Sequence, residues 1–158
     1  MKNISEYIKE SYWTSTSTSD VDDMDLSKVK VTDDNIKDII AKILKKNKNA
    51  DLNSLDVSEI IDMEELFAKM KDINPDISKW DVSNVQNMRS MFEGCENFNQ
   101  NISSWDVSNV KDMRYMFYNC KNFNQNLSVW DVRNIKDATD MFNGCPIKDA
   151  YKPKFKNK

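Results

Sequence analysis

The chain has 158 residues, a net charge of −3 at pH 7 and a sequence in which histidine is absent. The acidic balance argues against a nucleic-acid backbone as the main partner, and the lack of an apolar run of about 18 residues argues against membrane insertion. Without the commonest general base and metal ligand, and with no carboxylate pair outside the repeat pattern, we expect neither an enzyme nor a cofactor.

The amino-terminal 30 residues divide into two segments. Residues 1–10 predict a short amphipathic helix, because Ile4, Tyr7 and Ile8 follow helical spacing. Residues 11–30 are rich in serine, threonine and aspartate, which predicts a flexible linker. Neither the apolar core of a secretory signal nor a lipid-attachment cysteine occurs there, so the sequence does not predict export by these routes.

A helix is predicted within residues 31–49, preceding the repeats. Thr32 or Asp33 is expected to cap its start, and lysines crowd its end, where cations suit the helix dipole. Its apolar residues recur at helical spacing and would form one face: Ile36, Ile39, Ile40, Ile43 and Leu44. We expect this helix to cap the N-terminal end of the repeat array that follows.

Residues 50–145 contain a 25-residue repeat with units starting at 55, 80, 105 and 130. Trp80, Trp105 and Trp130 begin the last three units, and Leu55 takes the same place in the first. A period of this length is typical of arrays in which each unit buries its apolar face on the next. The fourth unit stops after Cys145, and residues 146–158 form a basic tail.

Each unit is predicted to contain one short helix and one short strand. In the third unit Val110, Met113 and Phe117 share a helical face, and residues 127–132 alternate as a strand does. The predicted fold class is therefore α/β, a short leucine-rich-repeat-like solenoid of 25-residue units with an N-terminal capping helix.

Residues that recur in every unit would form ladders, since stacked units lie about 5 Å apart. We interpret the tryptophan and phenylalanine ladders as core packing rather than a sugar-stacking surface. Cys95, Cys120 and Cys145 lack the close pairs of zinc sites, so we expect buried free thiols rather than metal ligands or disulfides. The repeated aspartates and asparagines are expected to bind turn backbone, with a calcium ladder as the alternative.

Positions that vary between units are the candidates for partner binding. Arg89 and Arg114 are equivalent, while Tyr115 and Tyr118 are expected to face outward in the third unit. Tyrosine and arginine are enriched at protein interfaces. We therefore predict these four residues as an interaction surface for an unidentified protein partner, with an ordinary solvated face as the alternative. The sequence does not specify the oligomeric state.

The repeat unit resembles a known bacterial family. The third unit reads WDVSNV from Trp105, followed by Met116-Phe117, Cys120 and the Phe-Asn-Gln of 123–125. This pattern, which covers about residues 50–145, resembles the BspA-like leucine-rich repeat, also called DUF285. The resemblance implies a fold more firmly than a function, and relates the chain to surface adhesins and protein-binding modules.

The first ten residues also resemble the capsid-targeting leader of internal proteins in large tailed phages. The matching residues are Met1, Lys2, Glu6, Tyr7, Ile8 and Glu10. The resemblance implies cleavage after Glu10, and it gives the alternative of a phage structural or capsid-internal cargo protein. We expect a cytoplasmic or virion-associated protein, with the cell surface implied by the repeat resemblance alone.

Overall fold

The computed structural model describes residues 30–155. Helix α1, Ile36–Lys46, is followed at the far end of the chain by a short 3-10 helix, Asp149–Tyr151. Strand pairing among the described residues is limited to isolated parallel bridges, and no sheet is formed there. Within the same residues, no helix has the length and apolar character needed to cross a membrane. The predicted leader lies outside the described part of the chain, as does the predicted linker up to residue 29.

Helix α1 buries one apolar face in the core. The buried residues are those with helical spacing: Ile36, Ile39, Ile40, Ile43 and Leu44. The helix is shorter than the predicted 31–49, and no side chain caps its first turn. Asn35 is the N-cap residue, and its side-chain oxygen accepts the backbone amide of Thr32 at 2.8 Å instead.

After α1 the chain winds into a stack that follows the 25-residue period. We number its coils by the sequence units: coil 1 is 55–79, coil 2 is 80–104, coil 3 is 105–129 and coil 4 is 130–145. Parallel bridges join equivalent residues of successive coils: Asp62 to Asn87, Asn87 to Asp112, and Asp112 to Asp137. The repeat in sequence is therefore a repeat in space.

The predicted α/β solenoid with a capping helix is wrong, because the coils contain turns where a helix and a strand are predicted. In coil 3 alternate backbone amides donate to carbonyls of coil 4. The donors are the amides of Met113, Tyr115, Phe117 and Asn119. The amides between them close turns three residues back, as Met116 does with Met113 at 3.3 Å. Since every second amide bonds outside its own coil, the i to i−4 bonds of an α-helix do not form.

Left-handed residues separate these turns. Tyr115 and Asn119 both have a φ of 57°. The equivalent residues of the other coils are also left-handed: Glu65, Lys69, Ser90, Gly94, Asp140 and Gly144. A left-handed residue ends a right-handed helical run, so the apolar spacing reflects successive tight turns. The strand predicted at 127–132 is likewise a turn, in which the amide of Trp130 donates to the carbonyl of Leu127 at 3.1 Å.

Aromatic ladders fill the core of the stack. The rings of Phe67, Phe92, Phe117 and Phe142 lie parallel, with successive centroids 5.3, 5.5 and 5.6 Å apart. The three tryptophans that begin coils 2–4 are only 4–5% exposed. Each of their indole N–H groups donates to a backbone carbonyl 28 residues earlier in the chain, as Trp105 does to Ile77 at 3.2 Å. The tryptophan rings therefore belong to the core and offer no face to a sugar.

The tryptophan ladder generates a first prediction. Trp105→Phe removes a buried hydrogen bond and leaves unfilled volume, so we expect a loss of about 2 kcal/mol or more in the free energy of unfolding. Val129→Ala is the control, because Val129 is 71% exposed and should change stability by less than about 0.5 kcal/mol. Urea denaturation measures both variants, and equal stabilities would contradict the role assigned to the indole.

Carboxylates and amides at recurring positions close short turns by accepting the amide two residues ahead. Asp76 accepts the backbone amide of Ser78 at 3.0 Å and its hydroxyl at 2.7 Å, and Asn101 makes the same two bonds with Ser103. The backbone and hydroxyl hydrogen bonds from Ser78 hold the pKa of Asp76 below its ordinary value. The turn thus requires a side-chain oxygen that accepts these two hydrogen bonds, and it forms with a charged aspartate or with a neutral asparagine.

Substitution of Asp76 tests this turn. Asp76→Asn keeps the acceptor that Asn101 provides in the next coil, so at pH 7 it should lose only the charge-dependent part of the stability that Asp76 contributes. Asp76→Ala should cost about 1 kcal/mol, because the turn amide loses its acceptor. The lowered pKa contributes stability above the ordinary value of 3.8, and this is lost as pH falls through the folded-state pKa. Urea denaturation at pH 7 and pH 3 measures this effect. The free energy of unfolding should fall less between these two pH values in Asp76→Asn than in the wild type.

Candidate interaction surface

Tyr115 and Tyr118 lie together on the turn side of coil 3, where the left-handed residues Tyr115 and Asn119 bracket three positions. Their rings meet edge to face, with centroids 5.9 Å apart and planes at 78°. Both side chains are half-buried, so the pair is more restrained than the fully outward residues that the sequence predicts. A restrained aromatic pair loses little conformational freedom on binding.

Arg114 lies beside this pair and is held by carboxylates of two coils. Its guanidinium nitrogens bond both carboxylate oxygens of Asp112, and Nε lies 3.8 Å from a carboxylate oxygen of Asp137. Partial burial of Asp112 opposes ionisation, but the hydrogen bonds from Arg114 outweigh it and lower the pKa of the carboxyl. Arg114 is thereby fixed in direction while 38% of its side chain stays exposed.

Arg89 occupies the equivalent position of coil 2 and makes a different contact. Its guanidinium donates to Glu64 of coil 1 at 3.0 Å. Glu64 also accepts the side-chain amide of Asn87 at 3.0 Å, so the three residues form a small network across coils 1 and 2. Arg89 and Arg114 therefore form one row over coils 2 and 3. Tyr115 belongs to the next row, in which its equivalent in coil 2, Ser90, is buried.

Tyr118 also lines a depression of about 280 Å³ on the same side of the stack. Lysines and glutamates alternate around it: Lys69, Lys71, Lys121, Glu93 and Glu96. Lys71 and Glu96 form an ion pair at 3.1 Å across neighbouring coils. The depression is thus an aromatic and mixed-charge surface.

The recurring aspartates are engaged with backbone. In the repeated Asp-Val-Ser segment, Asp56, Asp81 and Asp106 each accept the amide of the serine two residues ahead at 3.0 Å. Over residues 30–155 no group of three or more cysteine, aspartate or glutamate side chains is arranged to hold a metal ion. The asparagines nearby bind the preceding coil, as Asn109 does to the carbonyl of Ser83 at 2.7 Å.

Asp33 has a role that its sequence position does not reveal. The carboxylate accepts the amides of Ile61 and Asp62 at 3.0 and 3.1 Å. In coil 2 the equivalent amides, of Gln86 and Asn87, donate to the carbonyl of Ile61. Asp33 therefore takes the place of a carbonyl from a preceding coil rather than capping α1. No local pattern could have identified it, because its partners lie 28 and 29 residues away.

Comparison with known proteins places this repeat in a family. A family model described as a Mycoplasma protein of unknown function, DUF285, matches residues 34–153. The chain belongs to the DUF285 family. No curated protein and no solved structure matches it. DUF285 membership thus agrees with the resemblance of the repeat, but it does not assign an activity or a partner.

The cysteines of this DUF285 chain are unpaired, and two of them are fully buried. The thiols of Cys95 and Cys120 each donate to a phenylalanine carbonyl at 3.0 Å. Burial raises the pKa of Cys95 from 9.0 to about 12, and it also raises the pKa of Cys120 and of the half-buried Cys145. These thiols act as small apolar core groups and are poor nucleophiles.

The raised thiol pKa values predict the behaviour of the DUF285 chain at alkaline pH. Folding favours the protonated thiol of Cys95, so its contribution to stability is complete below the ordinary pKa of 9.0 and falls as pH rises towards 12. At pH 8, iodoacetamide should modify the less buried Cys145 first.

Mass spectrometry after timed alkylation measures this order, with urea-unfolded protein as the reference in which all three thiols react alike. Modification of Cys95 and Cys120 as fast as Cys145 in the folded chain would contradict the burial of these two thiols.

Proposed function

We propose that this DUF285 chain is a non-enzymatic protein-interaction module. In this proposal the partner binds the tyrosine–arginine surface, which we define as Arg89, Arg114, Tyr115 and Tyr118. The observation that supports it most directly is the half-exposed tyrosine pair, packed edge to face. Arg114, which precedes Tyr115 in the chain, is oriented by two aspartates. Rigid aromatic and arginine side chains are those that contribute most at protein interfaces.

The difference between constant and variable positions of the repeat also supports this proposal. Constant residues are used inside the stack: tryptophan and phenylalanine in the core, and aspartate and asparagine in turns. The tyrosine–arginine surface uses positions that vary along the repeat: Tyr115 replaces Ser90, and Thr139 replaces the arginine in coil 4. Changes at such positions can alter recognition while the stacking contacts are retained.

A more specific role is suggested by the resemblance of the repeat sequence to BspA-like repeats. We propose that the partner is a protein contacted in adhesion, as the resemblance to bacterial surface-protein repeats implies. The mixed lysine and glutamate side chains around Tyr118 suit a protein surface better than a uniformly charged polymer.

The experiment compares three purified baits: the wild-type chain, a Tyr115→Ala/Tyr118→Ala variant, and a Val129→Ala control altered at another exposed site. Each bait is incubated with a mycoplasma lysate, and retained proteins are quantified by mass spectrometry. We expect at least one protein to be enriched by the wild type and the control and to be lost with the tyrosine variant. Removing a hot-spot pair worth about 2 kcal/mol corresponds to a roughly 30-fold weaker affinity.

Folding of the tyrosine variant is checked by urea denaturation, since the two side chains are half-buried. A variant that unfolds at the wild-type midpoint but retains the same proteins would overturn the proposed surface. If the tyrosine variant is destabilised, Tyr115→Phe and Tyr118→Phe keep the ring packing and remove only the hydroxyls. Retained partners with these variants and lost partners with Arg114→Ala would still support the surface.

A further inference from the structure

The last left-handed residue in the turn segment of each coil differs in its backbone hydrogen bond. In coils 1–3 these residues are Lys69, Gly94 and Asn119, and their amides donate to carbonyls of the next coil at 2.6–2.8 Å. Gly144 is the equivalent residue of coil 4, and its amide has no acceptor among the described residues. The backbone nitrogen of Gly144 is therefore not restrained by a hydrogen bond from coil to coil.

The residue before Gly144 carries a group with which this nitrogen can react. Asn143 is the one asparagine of the chain that precedes a glycine, and both residues are exposed. Because glycine has no side chain, nothing on Gly144 itself hinders the approach of its nitrogen to the side-chain amide of Asn143. The amide nitrogen of Asn143 donates to a carboxylate oxygen of Asp140 at 3.3 Å. A hydrogen bond of this length restrains the side chain weakly.

Asparagines that belong to the constant part of the repeat are held at both points. The side-chain amide of Asn109 donates to the carbonyl of Ser83 at 2.7 Å. The backbone amide that follows, of Val110, donates to the carbonyl of Val107 at 3.0 Å. Neither the side chain nor the next backbone nitrogen is therefore free to approach the other in the folded coil.

We infer that Asn143 is a site of spontaneous deamidation. The backbone nitrogen of Gly144 loses its proton and forms a bond to the side-chain carbonyl carbon of Asn143. The bond from that carbon to the side-chain nitrogen breaks, and the nitrogen takes up a proton and leaves as ammonia. Water then opens the resulting five-membered succinimide at either of its two carbonyls, which gives aspartate or isoaspartate. Water is the co-reactant, and no group is oxidised or reduced.

The isoaspartate product changes the contact between coils 3 and 4. In this product the chain runs through the former side chain, so that it is longer by one methylene group between the two residues. The original backbone there fits closely against coil 3: the carbonyl of Asn143 accepts the amide of Asn119 at 2.8 Å, and a methyl group on Gly144 would collide with the side-chain oxygen of Asn119. Isoaspartate therefore weakens the hydrogen bond of the Asn119 amide, whereas aspartate leaves the backbone unchanged.

This inference goes beyond the proposed function, since Asn143 is not part of the tyrosine–arginine surface. The matched control is Glu93→Asn, which places an asparagine before Gly94 at the same point of coil 2. The amide of Gly94 donates to the carbonyl of Tyr118 at 2.8 Å, so the control has the same dipeptide with its nitrogen bonded.

The experiment incubates the full-length Glu93→Asn variant at pH 8, folded and in urea, and follows both asparagines by peptide mapping with mass spectrometry. In the folded chain we expect Asn143 to deamidate at least about tenfold faster than the asparagine introduced at position 93, because reaction there requires local opening first. In urea the two rates should be similar. Equal rates in the folded chain, or reaction of Asn143 in urea alone, would overturn the inference. Both sites are compared within one molecule, so a change in overall stability does not obscure the result.

Hydrogen exchange followed by NMR tests the effect on the last junction. The isoaspartate and aspartate forms of the wild-type chain are separated by chromatography, and Asn143→Asp provides the aspartate form directly. Exchange of the Asn119 amide should be faster in the isoaspartate form and close to wild type in Asn143→Asp. The same exchange rate in both forms would contradict the assigned weakening of the contact between coils 3 and 4.

Discussion

The alternation of backbone hydrogen bonds is the constraint on which the rest of this structure depends. Along each turn segment, one amide bonds the next coil and the following amide closes a turn within its own coil. A chain that divides its amides in this way satisfies its backbone without a helix or a sheet. Two left-handed residues per coil keep the outward amides aligned, so that identical coils can stack with parallel aromatic rings.

Side chains complete what the backbone leaves open in each coil. Tryptophan indoles, cysteine thiols and asparagine amides donate to carbonyls of earlier coils, while aspartate and asparagine oxygens accept amides in turns. Each of these residue types is repeated because the same backbone group recurs every 25 residues. The constancy of the repeat thus reflects hydrogen-bond geometry at least as much as hydrophobic packing. It leaves residues such as Tyr115 and Tyr118 free of these structural tasks.

The sequence predicts the period and most of the core, and it fails where distant backbone partners decide the conformation. Apolar positions such as Ile40 and Phe117 are buried as their spacing predicts. The same spacing wrongly predicts a helix around Met113, because two tight turns also bring residues three and four apart to one side. A left-handed conformation at Tyr115 could not be predicted, since tyrosine does not favour it and the next coil imposes it.

The candidate surface shows the same division between local and distant effects. Tyr118 and Arg114 lie in a turn segment where the sequence predicts a helix face, and their degree of burial depends on neighbours in other coils. The role of Asp33 could not be found without the three-dimensional register. The predicted cleavage at Glu10 lies outside the described residues and stays a prediction.

The two ends of the stack differ in their contacts, and this difference affects the order in which the coils unfold. Repeat arrays behave as one-dimensional systems, in which each unit is stabilised by its neighbours. Coil 4 has one neighbouring coil, and the amides of Ala138, Asp140, Phe142 and Gly144 have no acceptor among the described residues. Coil 1 is bonded to coil 2, and on its other side Asp33 accepts the amides of Ile61 and Asp62. Thermal unfolding should therefore begin at coil 4 and proceed from there towards α1.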